Sequence, residues 1–248
     1  MQRRPPRQRP PCASVLLGAP AHHRCRPCET IPPMATVEQD ARAAIVAAGV
    51  RLGARGLVVA AEGNISVRLD EGILITPSGR RKDALVPEDL VLVGFEKPIG
   101  DGATAFDTAL AGPRPSSDIA IHRAIYQARP DVRAIVHAHL AAALALTIVG
   151  IRPDPQALPE TALFLPRLPF VSFAAPGSDL LATKIVAALA DGQEAADYAT
   201  AALLERHGAI AVGPDLIVAG DRLELADLLC RVYRDTTLLR SALKNGGR

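Results

Sequence analysis

The chain has 248 residues, of which 49% are hydrophobic and 3% aromatic, and it has no tryptophan. This is an ordinary soluble composition, and no run of 18 apolar residues predicts a membrane span. The net charge of +2 divides unequally: residues 1–33 carry six arginines and one acid (net +5), and the remainder carries 22 basic and 25 acidic residues (net −3). The charge of residues 34–248 therefore argues against a nucleic-acid-binding protein.

Residues 1–33 form an Arg/Pro-rich segment with eight of the 21 prolines and no lasting periodicity, which predicts a disordered tail. Cys25 and Cys28 have C-x-x-C spacing beside two histidines, but no second Cys or His cluster follows at zinc-finger distance. The segment is neither amphipathic nor rich in serine, as an organelle transit peptide would be. Because a globular pattern begins at Met34, we expect translation to start there, with residues 1–33 an over-extended reading frame.

The cysteines divide in the same way as the charges. Cys230 is the one cysteine after residue 33, and it lies in an apolar helical pattern. A lone cysteine gives no disulfide framework, which fits a reducing compartment. The sequence therefore predicts a cytoplasmic protein.

The elements predicted after residue 33 mix helices with short strands. Sequential strand pairs make the predicted sheet partly antiparallel, and the absence of a repeat or a composition break indicates one α/β domain. Residues 152–173 are punctuated by prolines and fit a loop with a short strand. In chain order the predicted elements are a helix that Thr36 can cap, strands at 65–67, 73–75 and 91–93, a helix at 119–128, a strand at 134–139, helices at 141–148 and 180–190, strands at 203–205 and 209–213, and a helix at 222–243.

Two histidines at the end of the fourth predicted strand are candidate metal ligands. His137 and His139 are two positions apart, so in a strand their side chains project from the same face. Zinc accepts neutral imidazole nitrogen, and a catalytic zinc site typically has three protein ligands and an open position. His207, at the junction of the last two strands, offers the third ligand. Histidines without a metal remain the alternative.

Two predicted turns present small polar side chains on flexible backbone, as a cradle for a phosphate or carboxylate requires. They are the segments 63–66 and 76–79, although such sequences are also common in plain turns. At 116–118, Ser116 or Ser117 can cap the helix at 119–128. The same helix N-terminus can instead bind an anion, with Asp118 beside it as general base for a phosphorylated substrate. His122, one turn later, is predicted to be structural.

These motifs occur together and in order, and over about residues 36–245 the chain resembles the class II aldolase/adducin family. The best-known enzymes of that family are zinc aldolases for sugar phosphates such as L-fuculose 1-phosphate. Five spaced motifs make the resemblance specific to the family but not to one substrate. The motifs are Gly63-Asn64-Ile65-Ser66, Thr76-Pro77-Ser78-Gly79, Ser116-Ser117-Asp118, His137-Ala138-His139 and His207-Gly208.

The resemblance implies a fold, an assembly and a site. The fold is a single three-layer α/β/α domain over 34–248 with a central, largely antiparallel or mixed sheet, and the assembly is a homotetramer with active sites between subunits. The cofactor is zinc, or manganese or cobalt in some members, bound by His137, His139 and His207. The residues implied around the substrate phosphate are Gly63, Asn64, Thr76, Ser78, Gly79, Ser116 and Ser117.

Asp118 departs from the family pattern, because the carboxylate after the two serines is normally Glu in the aldolases. There it ligates the metal at rest and acts as the acid/base on the enediolate; Asp118 is one methylene shorter. Any correctly placed carboxylate can move the proton, so the resemblance implies Asp118 as the catalytic residue. The tyrosine that some family aldolases borrow as proton donor has no match in this chain, and Glu160 is the alternative donor.

The sequence thus predicts a metal-dependent aldolase-type lyase that breaks or forms a C–C bond of a small phosphorylated sugar or hydroxy-carbonyl compound through a metal-stabilised enediolate. A decarboxylase or a sugar-phosphate dehydratase on the same scaffold is the alternative, because such an enolate serves all three reactions. A non-catalytic, adducin-like interaction module is less favoured. Adducin-type members resemble the fold without the metal histidines, which this sequence keeps.

Overall fold

The strands form a mixed sheet of seven members within the described residues. The computed structural model describes residues 36–96, 113–192 and 197–246. The strands are β1 (Asn64–Arg68), β2 (Ile73–Ile75), β3 (Val91–Val93), β4 (Ala134–Ala138), β5 (Phe170–Val171), β6 (Ala201–Leu204) and β7 (Gly208–Gly213). Their spatial order is β3-β2-β1-β4-β7-β6-β5. Neighbouring strands are antiparallel except β5 and β6, which are parallel. The predicted mixed sheet is confirmed.

The helices cover both faces of this sheet. They are α1 (Val37–Ala54), α2 (Ile119–Ala128), α3 (Ala141–Ile148), α4 (Pro159–Phe164), α5 (Asp179–Leu189) and α6 (Leu216–Gly246), with 3-10 turns at Lys82–Ala84, Pro87–Asp89 and Pro155–Ala157. Buried residues of α1, α3 and α6 form one apolar cluster, and buried residues of α2 and α5 form a second. Because the strands contribute to both clusters, the architecture is the predicted three-layer α/β/α arrangement.

The alternation of side chains along β4 decides which residues face α2 and α5. Ala134 and Val136 pack in the cluster of α1, α3 and α6, whereas Ile135 packs in the cluster of α2 and α5. Successive strand side chains point to opposite faces, so His137 projects to the same side as Ile135. Full burial of a side chain such as Ile135 stabilises the fold by about 1.5–3 kcal/mol, which fixes this register against a one-residue slip.

Two helices differ from the predicted elements by more than two residues. The segment 152–173 holds the short helix α4 in addition to a strand, because Pro159 at its first turn has the backbone geometry that starts a helix. Helix α6 begins at Leu216 rather than at 222, because Oδ1 of Asp215 accepts the backbone N–H of Val218 at 2.8 Å and caps the helix start. The predicted cap of α1 is confirmed, since Thr36 forms a capping box with Gln39.

The predicted disordered tail, residues 1–33, lies outside the described residues. The described body, from 36 to 246, falls within the predicted domain 34–248. None of the helices in this part of the chain combines the length and the apolar character that crossing a membrane requires.

Candidate metal centre

Three histidines meet where β4 ends and the β6–β7 turn begins. His137 is the fourth residue of β4, His139 follows the strand, and His207 lies in the turn before β7. Their ring centroids are 5.1 Å (137 to 139), 4.7 Å (137 to 207) and 4.9 Å (139 to 207) apart. One nitrogen from each ring lies within 4.8 Å of the others. The structure therefore brings together all three predicted ligands.

Glycines at two close approaches make this meeting possible. Gly208 has φ +114°, and a Cβ there would stand 2.2 Å from the carbonyl oxygen of Ala138. Gly63 has φ +70°, and a Cβ there would stand 2.6 Å from the carbonyl oxygen of His137. Both contacts are closer than any side chain allows, and both φ values lie where glycine is favoured. Glycine thus lets the turns before β1 and β7 press against the end of β4.

Burial favours the neutral form of the buried imidazoles, which is the form that can bind a metal. Nδ1 of His137 donates to the carbonyl oxygen of Ala209 at 2.9 Å, which leaves the lone pair of Nε2 exposed to the centre of the cluster. Burial, together with the charge of His207, lowers the pKa of His137 to about 3, so the ring is neutral at pH 7. Burial also lowers the pKa of His207.

Some buried polar atoms at the cluster have no hydrogen-bond partner in the described structure. They are Nε2 of His137, Nδ1 of His207 and Oδ1 of Asp118. An unpaired buried polar group costs about 1–3 kcal/mol, so such atoms call for a partner such as a water molecule, an ion or a ligand. Imidazole nitrogen and carboxylate oxygen are the donors that zinc and similar divalent metals accept. The residues present therefore fit a divalent metal.

Asp118 occupies the N-cap position of α2 but does not cap the helix with its side chain. Its Oδ2 instead accepts the Asn64 amide at 2.8 Å and lies 3.9 Å from Nε2 of His137. Burial raises the pKa of the carboxyl, but the nearby His137 and His207 and the Asn64 hydrogen bond outweigh burial, so the net pKa is below its ordinary value. The prediction that Ser116 or Ser117 caps α2 is wrong, because Asp118 holds the N-cap position. Oγ of Ser116 accepts the N–H of Asp118 instead.

The predicted phosphate-binding residues belong to turns that adjoin one another. The N–H of Ser78 donates to the carbonyl oxygen of Arg114 at 2.9 Å, and that of Ser116 to the carbonyl oxygen of Thr76 at 3.1 Å. Ser78, Gly79 and Ser117 are exposed, Gly63 is partly buried, and Asn64, Thr76 and Ser116 are buried. The Thr76 hydroxyl accepts the N–H of Ile65 at 3.1 Å, so its oxygen supports the β1–β2 corner.

The family follows from a match to the class II aldolase and adducin N-terminal domain over residues 43–234. This chain belongs to the class II aldolase/adducin family. The resemblance drawn from the five motifs is thereby confirmed.

Relatives within the class II aldolase/adducin family carry several lyase-type names. The 3-oxo-tetronate 4-phosphate decarboxylase of Cupriavidus necator is 32% identical over 155 residues, 60% of this chain and 66% of the relative. The methylthioribulose-1-phosphate dehydratase of Methylococcus capsulatus is 38% identical over 116 residues, so the match spans 46% of this chain and 52% of that enzyme. The structure of L-fuculose-1-phosphate aldolase from Thermus thermophilus has a TM-score of 0.67 and 30% identity, covering 81% of this chain and 96% of that chain.

Glu62 is a residue of this class II aldolase/adducin domain that the sequence reasoning missed. Its Oε2 lies 3.1 Å from Nδ1 of His139, and its Oε1 accepts the N–H of Val59 at 2.9 Å. A carboxylate at the far nitrogen of a metal-binding histidine fixes the tautomer and orientation of the ring. The available signal was an acid directly before the Gly63-Asn64 turn.

Lys82 is a second missed residue. It is buried, and its Nζ donates to the carbonyl oxygens of Ala61 at 2.8 Å and Arg80 at 2.7 Å. Burial lowers its pKa to about 8, while the charge of Glu62 opposes that shift. The ammonium thus ties the turn before β1 to the turn after β2, the two turns that carry most of the predicted phosphate-binding residues.

Glu160, the alternative proton donor, lies away from the histidines. It lines a cavity of about 600 Å³ together with Arg55, Phe164 and residues of α6, and none of the three histidines belongs to the lining. Tyr126 belongs to α2 and is buried, with its hydroxyl 2.8 Å from Oγ of Ser66 on β1. Within the described part of this chain, the carboxylates beside the histidines are those of Asp118 and Glu62.

Proposed function

We propose that this protein is a metal-dependent lyase that breaks a bond next to a carbonyl group in a small phosphorylated sugar or sugar acid. The observation that carries the proposal is the convergence of His137, His139 and His207, with the Asp118 carboxylate 3.9 Å from Nε2 of His137. Three histidines with room for a further ligand are the donor set of a catalytic metal site. Zinc is the first candidate, with manganese or cobalt as alternatives.

The chemistry divides between the metal and the protein. A divalent metal held by the three histidines would supply Lewis-acid polarisation of the substrate carbonyl. Asp118 is the group that moves a proton: its Oδ2 is bound to Asn64, while Oδ1 has no partner within the described residues and is free to accept or deliver the proton. Its low pKa keeps it ionised at neutral pH, as a general base requires.

The substrate phosphate is proposed to bind at the adjoining turns. The exposed members Ser78, Gly79 and Ser117 offer hydroxyl and backbone N–H donors, and small residues let an anion approach the backbone closely. The less exposed members of the set lie behind this surface; they are Gly63, Asn64, Thr76 and Ser116. The phosphorylated compounds named for the relatives support a phosphorylated substrate.

Among lyase reactions we favour decarboxylation of a 3-oxo acid phosphate. Once the carbonyl is polarised, decarboxylation needs one proton delivered to the carbon that loses carbon dioxide. Because Asp118 is ionised, its carboxylate would first take that proton from solvent and then pass it to the carbon. Aldol cleavage needs a proton removed from a hydroxyl group and another delivered to carbon, which asks more of a carboxylate with the short reach of Asp118. The Cupriavidus relative supports decarboxylation. Aldol cleavage is the second candidate, because the Thermus aldolase structure aligns over 96% of its length.

Elemental analysis of purified protein beside a His139→Ala variant tests the metal, and a substrate panel tests the reaction. We expect about one divalent metal per chain, lost in the variant. The panel consists of a 3-oxo acid phosphate, a ketose 1-phosphate and methylthioribulose 1-phosphate, assayed for carbon dioxide, dihydroxyacetone phosphate and loss of water. Protein that binds no zinc, manganese or cobalt, or a loaded enzyme inactive on the whole panel, would overturn the proposal.

A further inference from the structure

A continuous row of buried hydrogen bonds runs from Tyr126 to Asp118. The Tyr126 hydroxyl lies 2.8 Å from Oγ of Ser66, and that oxygen lies 2.7 Å from Nδ1 of His122. Nε2 of His122 lies 2.6 Å from Oδ1 of Asn64, whose Nδ2 lies 2.8 Å from Oδ2 of Asp118. His122 and Ser66 have no exposed surface, and the other three side chains are at most 6% exposed.

The row is built by two regular spacings. Asp118, His122 and Tyr126 are four residues apart along α2 and therefore share one helix face. Asn64 and Ser66 are two residues apart on β1 and project from one strand face. The helix face and the strand face meet, so each polar group finds its partner inside the protein rather than in water.

The ionised Asp118 carboxylate at one end of the row determines which atom donates in each hydrogen bond. An ionised carboxylate only accepts, so the Asn64 NH2 group donates to it, and the Asn64 oxygen must face the other way. That oxygen accepts from Nε2–H of His122. A neutral His122 then accepts at Nδ1 from the Ser66 hydroxyl, which in turn accepts from Tyr126. Each member thus has one consistent role, with no donor facing a donor.

We propose that Asn64 and His122 are positioning residues that hold the Asp118 carboxylate for the proton transfer, an inference that rests on the proposed function. His122 fixes the amide of Asn64 so that its NH2 group, and not its oxygen, faces Asp118. Asn64 then anchors Oδ2 and leaves Oδ1 free. The amide of Asn64 contacts His122 through Oδ1 and Asp118 through Nδ2, which gives it a role in addition to the phosphate contact that the family resemblance implies.

The register of the sheet explains why the position of Asn64 matters. Asn64 pairs directly with His137 across β1 and β4. Its amide therefore lies between the candidate metal ligand His137 and the N-terminus of α2, where it binds the Asp118 carboxylate. An amide with the opposite orientation would present its oxygen to the carboxylate, and the repulsion between the two oxygens would move Asp118.

The first measurement is spectroscopic and needs no turnover. The chain has two asparagines, Asn64 and Asn245. Protein labelled with 15N at asparagine therefore gives two side-chain NH2 groups, and exposed Asn245 serves as the internal reference. We expect the Asn64 signals to move in His122→Leu and to stay in place in His122→Gln, because glutamine can both donate to Asn64 and accept from Ser66. The Asn245 signals should not change.

The second measurement is kinetic, on whichever panel substrate the metal-loaded wild type converts. His122→Leu and Asn64→Ala should each lower kcat by about 10- to 100-fold. For His122→Leu, which lies outside the proposed phosphate site, KM and metal content should stay within about twofold. His122→Gln should restore most of kcat. A purely structural role would lower the folded fraction of each variant and leave kcat per metal-loaded site unchanged.

The outcomes separate this inference from the proposed function. Asn64 signals that do not respond to His122→Leu would overturn the inference, and so would an unchanged kcat per loaded site. A loaded wild type inactive on every substrate would overturn the proposed function, and with it the catalytic meaning of the row, while the spectra would still decide whether His122 holds Asn64. If His122→Leu does not fold, Ser66→Ala replaces it, since it removes the hydroxyl that donates to His122.

Discussion

Asp118 and His137 face each other between the start of α2 and the end of β4, with Oδ2 of the carboxylate 3.9 Å from Nε2 of the imidazole. Each side chain is anchored through its other polar contact: Asp118 by the Asn64 amide, and His137 by the carbonyl oxygen of Ala209. Each also keeps one buried atom without a partner in the described structure. A candidate metal ligand and a candidate proton-transfer group are therefore held side by side, as the proposed metal-assisted lyase requires.

Asp118→Asn should abolish most activity while leaving the metal in place. The amide keeps the size of the side chain but can neither accept a proton nor pass one to the substrate, and general acid–base catalysis is typically worth about 10²–10⁴-fold. We expect kcat to fall by that factor, as measured on the metal-loaded variant. Asp118→Glu is the matched control. It keeps a carboxylate, on the longer side chain that is usual in family aldolases, and should retain more activity than the Asn variant. Equal activity of Asp118→Asn and wild type would contradict the role.

Glu62→Gln should weaken metal binding without removing it. The Glu62 carboxylate faces Nδ1 of His139, and loss of such a partner typically lowers metal affinity by about 10- to 100-fold. A competition titration with a chromogenic chelator measures this change. Glu71→Gln provides the control, because Glu71 is exposed in the β1–β2 hairpin. Identical affinities for both variants would show that Glu62 does not orient His139.

The sequence was most informative where contacts are local. The strand pair at 65–67 and 73–75 is joined by a short turn, so its register depends on neighbouring residues. The H-x-H spacing likewise needs only the two-residue period of one strand to bring His137 beside His139. Such features are encoded within a few residues, and they were predicted correctly.

Features that depend on distant packing were not accessible in this way. Asn64 and His122 are 58 residues apart, and their contact exists only because α2 lies across β1. The four-residue spacing of Asp118, His122 and Tyr126 indicates a polar helix face, but nothing local indicates its strand partner. Lys82 follows Arg80 and Arg81 and looks like part of a solvated basic run. Yet Lys82 is buried, and its backbone packs against α1 at Gly49, where a Cβ would stand 2.0 Å from the Lys82 carbonyl oxygen.

Gly208→Ala should destabilise the fold and disrupt metal binding. The added Cβ would stand 2.2 Å from the Ala138 oxygen and 2.7 Å from Cα of His139, both backbone atoms that cannot move aside alone. The turn carrying His207 would have to shift away from β4. Gly56→Ala is the control, since Gly56 also has positive φ (+68°) but nothing lies within 4 Å of its added Cβ. That variant should lose about 1–2 kcal/mol by urea unfolding and keep its metal.

If Gly208→Ala instead matched Gly56→Ala in both stability and metal content, the close approach of the β6–β7 turn to β4 would not be what holds His207 in the cluster. Metal content separates the two effects, because backbone strain alone lowers stability without changing the ligand geometry. The comparison thus isolates the contact with Ala138 from the cost of a positive φ.

The stability of the metal-free protein should fall between pH 6.5 and pH 4, in part because of His122. Burial lowers the pKa of His122 to about 4, and the charge of Asp118 only partly opposes this. In the unfolded chain the pKa is about 6.5, so over this interval the unfolded state binds a proton that the folded state does not. Unfolding therefore becomes more favourable as the pH falls, by roughly 2–3 kcal/mol at pH 4.5 from this residue.

Urea unfolding of chelator-treated wild type and His122→Gln at pH 7 and pH 4.5 isolates this contribution. Carboxylates and the other histidines titrate in both proteins, so their effects cancel in the difference between the two pH slopes. We expect the variant to lose less stability than wild type on acidification, because glutamine takes up no proton in either state. If wild type and His122→Gln lost the same stability between pH 7 and pH 4.5, His122 would have the same pKa in the folded and unfolded states. That result would contradict a neutral imidazole held between Ser66 and Asn64.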